Sequence, residues 1–294
     1  MARFPVATSE FQTIITSVTD GTQPSTAYGT SVTPGASNTY GSYASVMSGA
    51  TLTSDAYGLE IIVSSAYTNA TDRGMLVTIG FDPAGGTSFG GLGGVTGNEI
   101  SNLLCSGAYS WYTNGTPGGG HRFYFPVYVK SGTSIGAKAQ TNNVTAGTVR
   151  VAAIAYCQPS RRAGVRAGSF VRTIGANTTT TDGVSVTAGT VSEGSWTSIG
   201  AVSDKIWHMN IGLGARTATQ VDSAALVDVG VGDGSNKRTI MRDIYAFTST
   251  GENCHKYGRS DAFVNLASGD TIYGRAQGSA APTGFSIAAY CTGG

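Results

Sequence analysis

Ser131-Gly-Thr-Ser-Ile-Gly-Ala-Lys-Ala-Gln140 is answered further along the chain by Ser268-Gly-Asp-Thr-Ile-Tyr-Gly-Arg-Ala-Gln277. Each begins with a Ser-Gly-polar turn and runs into residues whose apolar positions fall at every second place, the period of a β-strand. The correspondence extends outward from this stretch in the same order. Upstream, Leu76-Val-Thr-Ile-Gly80 matches Leu226-Val-Asp-Val-Gly230, and Gly41-Ser-Tyr43 matches Gly194-Ser-Trp196. Further upstream, Gly29-Thr-Ser-Val-Thr-Pro-Gly35 matches Gly183-Val-Ser-Val-Thr-Ala-Gly189. Downstream, both copies close on Ala-Tyr-Cys, at 155–157 and 289–291. An ordered repeat over most of the chain predicts one domain fold used twice.

The apolar runs are short, rich in β-branched residues and bounded by Gly, Asn, Asp or Ser, so the chain reads as strands with almost no helix. The first copy predicts strands near 59–64, 75–79, 123–129, 135–140 and 148–156, and the second near 206–211, 226–231, 262–266, 271–277 and 285–290. The expected fold class is all-β: two tandem antiparallel β-sandwich, jelly-roll-like domains from an internal duplication. Residues 1–25 match nothing in the repeat and are expected to form an N-terminal arm ordered against a neighbour. Residues 26–157 are the first sandwich, 158–178 a basic linker with Arg161, Arg162, Arg166 and Arg172, and 179–294 the second sandwich. Gly132 and Gly269 are expected to take positive φ and close hairpins. Pro126 predicts an edge position or a bulge, because proline cannot donate to a ladder. The copies differ most between strands: Gly80 to Asn98 is a glycine-rich loop, and its counterpart from Gly230 to Lys237 is short.

Charged residues are 12% of the chain, about half the usual share, and the net charge is +1. No global field gathers nucleic acid or anionic lipid, so neither is an expected partner. The chain holds no apolar run long enough to span a membrane as a helix, and its N-terminal residues lack the apolar core of a secretory signal. The surface draws its polarity from hydroxyls and backbone amides, a composition suited to assembly subunits.

The motifs that suggest chemistry are weak. Gly132-Thr-Ser-Ile-Gly136 has the form of a nucleophile elbow, yet a strand follows it where the elbow needs a helix. Loop 80–98 lacks the Gly-Lys-Ser/Thr ending of a phosphate-binding loop. His121, His208 and His255 are scattered with no second ligand at metal spacing, so no metal, cofactor or catalytic set is expected. The four cysteines suggest one disulfide per copy, Cys105 with Cys157 and Cys254 with Cys291, with buried thiols as the alternative. Tyr109, Trp111 and Tyr112 beside Asn114-Gly-Thr-Pro-Gly-Gly-Gly120 form an aromatic patch able to stack on sugar rings, with core or subunit packing as the alternative.

The phrases Phe123-Tyr-Phe-Pro-Val-Tyr-Val-Lys-Ser-Gly-Thr-Ser-Ile-Gly-Ala-Lys-Ala-Gln140 and Val32-Thr-Pro-Gly-Ala-Ser-Asn-Thr-Tyr-Gly-Ser-Tyr43 resemble tailed-bacteriophage accessory virion proteins built from β-sandwich repeats. In that family the phrase is similar to Phe-Pro, five residues, Gly-Thr-x-Ile-Ala-Ala-Arg-x-Gln. The first copy departs at Gly136 and Lys138; the second keeps Arg275 and lacks the proline. The resemblance implies a non-enzymatic structural protein of a tailed-phage virion, exposed as a capsid decoration, collar or fibre-like subunit and assembled in the host bacterial cytoplasm. It implies homo-oligomers and contacts with other virion proteins. The alternative is a phage-borne module that binds a host-surface glycan.

Overall fold

The computed structural model describes residues 14–17, 29–67, 74–106, 108–109, 118–141, 148–157, 167–176, 183–215, 223–249, 252–257, 260–278 and 285–294. Their regular structure is strand, apart from one short 3-10 turn at Leu92–Gly94. The first half contributes β1 (Ile14–Thr16), β2 (Thr30–Val32), β3 (Ala44–Met47), β4 (Gly58–Tyr67), β5 (Gly74–Asp82), β6 (Ile100–Ser106), β7 (Ala108–Tyr109), β8 (Gly118–Phe125), β9 (Ser134–Thr141) and β10 (Thr148–Tyr156). The second half contributes β11 (Phe170–Ile174), β12 (Val184–Ser185), β13 (Ala188–Gly189), β14 (Thr197–Ala201), β15 (Ile206–Ala215) and β16 (Ser223–Gly232). It continues with β17 (Lys237–Ser249), β18 (Glu252–Tyr257), β19 (Asp261–Leu266), β20 (Thr271–Gly278) and β21 (Phe285–Gly293).

Strand order is the same in both halves. In the first, β2-β10-β4-β8 faces β3-β9-β5-β6; in the second, β12-β21-β15-β19 faces β14-β20-β16-β17. Strands β7 and β18 link β4 to β17, so that β2-β10-β4-β8 and β14-β20-β16-β17 belong to one twelve-stranded sheet running through both halves. Counting strands along the chain, each half reads 1-8-3-6 over 2-7-4-5, the order of a double-sheet jelly roll. The expected strands fall within these elements or, near Phe123–Val129, run past the end of one. Strand β10 shows why they form: Val149, Val151, Ala153 and Ala155 are buried on one face, while Arg150, Ile154 and Tyr156 lie half-buried on the other.

Three expectations need correction. Gly132 and Gly269 do have φ of +82° and +96°. They do not close hairpins, because β8 and β9 lie in opposite sheets, as do β19 and β20. The turn carries the chain across the sandwich. Residues 14–17 are not a detached arm either. Strand β1 extends the first sheet, with Ile15 opposite Ala155 and Ser17 Oγ accepting from the Ala153 amide. Strand β11 does the same for the second half, with Ile174 opposite Ala289. Without β1, part of the edge of β10 would present unpaired amides and carbonyls to water, so a strand there is physically favoured. For the same reason residues 170–174 belong to the second sandwich and not to a linker; Arg161, Arg162 and Arg166 lie outside the described residues. Pro126 behaves as expected: β8 ends at Phe125 and, among the described residues, pairs only with β4.

The cores of the halves are unequal. Among the described residues, the second core is built from its own half, with Ile211, Leu213, Val227, Val229 and Ile287 in it. The first core includes Val171, Ala176, Ala288 and Tyr290, all from the second half. The first sandwich is thus open along its β6–β8 side and is closed by the outward face of β11, β21 and β15.

Candidate functional site

The most elaborate arrangement in the molecule is this junction. Tyr290 is fully buried, its hydroxyl accepting from the Leu104 amide at 2.5 Å and donating to the Asn102 carbonyl at 2.8 Å. Its ring meets Phe123 edge-on at 5.6 Å. The backbone can offer those two groups because Asn102 has φ +55°, a conformation that Asn tolerates better than most residues. Asn102 is pinned from three sides: Nδ2 donates to the Ala176 carbonyl, Oδ1 accepts from Tyr40, and the amide donates to Thr78 Oγ1. Burial raises the Tyr290 phenol far above its ordinary range. Gly212 and Gly214 permit the close approach. A Cβ on Gly212 would lie 2.8 Å from the Tyr290 hydroxyl, and one on Gly214 would lie 2.7 Å from Leu104 Cδ1.

Beside the junction, on the outward face of β10-β4-β8, lies a polar cluster. Both oxygens of buried Glu60 are engaged, Oε1 by Arg122 Nε at 2.5 Å and Oε2 by the Tyr156 hydroxyl at 2.7 Å. Burial and that bond push the Tyr156 phenol up to about 12. The Tyr124 ring meets Tyr156 at 5.7 Å and His208 of the second half at 6.1 Å. Its phenol is raised by burial, then by the negative charges of Asp261 and Glu60. His208 is fully buried, with Nε2 3.4 Å from Asp261 Oδ2. Glu60, Arg122 and Tyr156 answer one another while His208 keeps a buried Nδ1 without a hydrogen-bond partner, and the ring contact of Tyr124 with His208 makes the cluster read as a fastening between halves.

The repeated phrases prove to be packing devices. Lys138 Nζ sits 4.7 Å from the Tyr43 ring centroid and 5.1 Å from that of Tyr40. At the matching place, the Arg275 guanidinium lies 4.4 Å over Trp196 and pairs with Asp228 at 2.8 Å and Glu193 at 2.5 Å. Gly80 and Gly230 underlie those aromatic rings. Loop 80–98 is organised by buried Asp82, which accepts from the amides of Ala84 and Ser88, and by buried Leu92.

Cys105, Cys157 and Cys291 are buried thiols, which overturns both expected disulfides. Cys105 lies in β6 and Cys157 just after β10, in opposing sheets of the first half; Cys254 in β18 and Cys291 in β21 are likewise in different sheets. Burial pushes the Cys291 thiol up to about 12 and raises that of Cys157. The side chain of Cys254 lies outside the described residues. So do Trp111, Tyr112 and the side chain of Tyr109, whose backbone pairs with Tyr67 in β4. The expected aromatic patch therefore has no described geometry. Residues the sequence reading passed over are Asn102, Glu60 and Tyr290. A pointer was present: Tyr156 and Tyr290 occupy the same place in the repeat, and Asn102 and Asp243 are polar residues inside apolar strands.

No family profile matches the chain, and no curated protein does. Among solved structures, one of PNGF-II is similar over 96% of this chain and 65% of its own, with TM-score 0.36 and 9% identity. Sulfolobus Turreted Icosahedral Virus is similar over 90% and 59%, with TM-score 0.24 and 12% identity. Tripeptidyl peptidase 2 is similar over 90% and 22%, with TM-score 0.25 and 10% identity. The chain spans less than two thirds of each of these structures.

Proposed function

We propose that this chain is a non-enzymatic structural subunit of a tailed-phage virion, exposed on the particle as a decoration, collar or fibre-like component. The observation that carries the reading is where the repeated residues go. Tyr43 with Lys138 and Trp196 with Arg275 are spent on holding neighbouring strands of one sheet together, and Tyr290 on holding the halves together. A duplicated scaffold that keeps its packing residues and varies its loops suits a protein that works by contact. The resemblance of residues 123–140 to virion proteins supports the same setting.

The test is mass spectrometry of purified particles of the phage that encodes the chain, followed by antibody labelling in the electron microscope. Stoichiometric presence with label on the exterior is expected. Absence from particles, or release on washing in high salt, overturns the proposal.

A further inference from the structure

The two halves treat one end of the sandwich differently. In the first half residues 83–99 join β5 to β6, and this long loop packs against the turn between β8 and β9. A Cβ on Gly85 would lie 2.9 Å from the Gly132 carbonyl oxygen. Tyr128, three residues before Ser131, donates to Asp55, whose other oxygen accepts from the Ser131 amide. That end is spent on the chain's own contacts. In the second half residues 233–236 alone join β16 to β17, and Asn265 stands three residues before Ser268 where the first half has Tyr128. What the long loop covers in one half is left open in the other.

The opening is a groove of about 560 Å³ between the β16–β17 turn and the β19–β20 turn, with buried Val231 and Leu266 among its lining residues. Both walls are held by hydrogen bonds of their own. In the first turn Asp233 Oδ1 accepts from the amides of Ser235 and Asn236. Lys237 Nζ donates to the Gly234 carbonyl and lies 4.8 Å from the Tyr273 ring centroid. In the second turn Asp270 Oδ2 accepts from the Ala267 amide, the Gly269 amide donates to the Val202 carbonyl, and the Val202 amide donates to the Asp270 carbonyl. The other polar lining groups have bonding capacity to spare. Among the described residues, the side chains of Arg238, Ser235 and Asn265 have no hydrogen-bond or ion-pair partner, and Asp270 Oδ1 accepts no bond.

We propose that this groove binds a carboxylate-bearing sugar residue, with Arg238 taking the carboxylate and Ser235, Asn265 and Asp270 taking ring hydroxyls. A guanidinium presents a planar fork of donors that matches a carboxylate two bonds at a time. Sugar hydroxyls donate and accept, which suits this mixed set: the Asp270 carboxylate only accepts, while Ser235 and Asn265 do both. Val231 and Leu266 supply apolar area for the C–H face of a sugar ring, the mixture of apolar lining and a few placed polar groups that small-ligand sites use. The charges set the limit of one anionic group per residue. Lys237 is committed to its turn, and Asp270 repels a second negative charge, so a phosphate ester or nucleotide fits less well than a single carboxylate. Because both walls are held before binding, little ordering entropy opposes it. The inference goes beyond the structural role proposed above and does not depend on it.

The experiment titrates the full-length chain with the methyl glycosides of glucuronic, galacturonic and N-acetylneuraminic acid, and with the carboxyl methyl ester of each. N-acetylglutamate amide presents a carboxylate on a peptide frame as a further probe. Binding is read by saturation-transfer nuclear magnetic resonance. Wild type is expected to bind at least one of the acids saturably, and its ester at least about tenfold more weakly. Arg238→Gln is expected to weaken binding of that acid at least about tenfold and Asn265→Ala at least about threefold. Both positions are exposed, and circular dichroism establishes that each variant is folded. Should Arg238→Gln unfold, Arg238→Lys, which keeps the charge and loses the fork, replaces it. No saturable binding to any of the acids, an ester that binds as tightly as its acid, or either variant binding like wild type overturns the inference. Binding of the glutamate amide as tight as that of the best acid also overturns it, and assigns the groove to an acidic peptide.

Discussion

Tyr290 and Tyr156 show how one residue in one repeat position acquires two tasks. Opposite Tyr290 lies the glycine pair of β15, which lets the ring sink into the first core; near Tyr156 lies Glu60, which holds its hydroxyl at the surface. Tyr290→Phe leaves the Leu104 amide and the Asn102 carbonyl buried without their partner, at a cost of about 1–3 kcal/mol. A denaturant titration should show that loss, and an unchanged midpoint would mean the bonds add nothing. Alkaline titration supplies a second expectation. Burial pushes the phenols of Tyr43 and Tyr156 from their ordinary value near 10 to about 12. The folded state therefore favours the protonated forms. The stability this confers is fully present below pH about 10 and is lost as pH rises through about 12. Unfolding monitored across that window, beside the ultraviolet absorbance of phenolate, should show the two rising together. The buried thiols Cys157 and Cys291 should resist alkylation in the native protein and react once it is unfolded; modification under native conditions would contradict their burial.

At the scale of elements, β1 is the informative strand. The repeat phrases begin at Gly29 and Gly183, which made the residues before Gly29 look unmatched. The register of β1 against β10 and of β11 against β21 equates Ile15 with Ile174. In the sequence that leaves Phe11-x-x-x-Ile15 against Phe170-x-x-x-Ile174, a short and degenerate signal separated from the next match by loops of unequal length. Deleting residues 2–17 removes a strand from the edge of β10 and the packing of Ile15 on the first core. We expect a loss of roughly 1–3 kcal/mol, read as a lowered denaturation midpoint. An unaltered midpoint would restore the idea of an arm with no part in its own sandwich. Pro126 was legible for a local reason, since a missing amide is a property of one residue. The turn at Gly132 was legible only in its φ, because the sheet joined by the next strand depends on partners distant in sequence.

For the whole molecule, the unequal cores set the order of dependence. The second half encloses its own apolar residues, whereas the first borrows Val171, Ala176, Ala288 and Tyr290. A fragment of residues 167–294 should therefore keep a cooperative thermal transition. A fragment of residues 1–166 should lack one and expose apolar surface to a fluorescent dye. Equal stability of the two fragments would show that the borrowed residues are dispensable. By itself the sequence determined that the chain is all-β, that one strand pattern is written twice, and where most strands lie. Alternation, turn residues and repetition are one-dimensional properties that survive without knowledge of neighbours. Tertiary structure alone decided which sheet each strand enters, that Cys105, Cys157 and Cys291 end as buried thiols, and that one tyrosine of a matched pair closes its neighbour's core. Those outcomes depend on which surfaces meet in space, and two identical phrases meet different surfaces once the first sandwich is laid against the second.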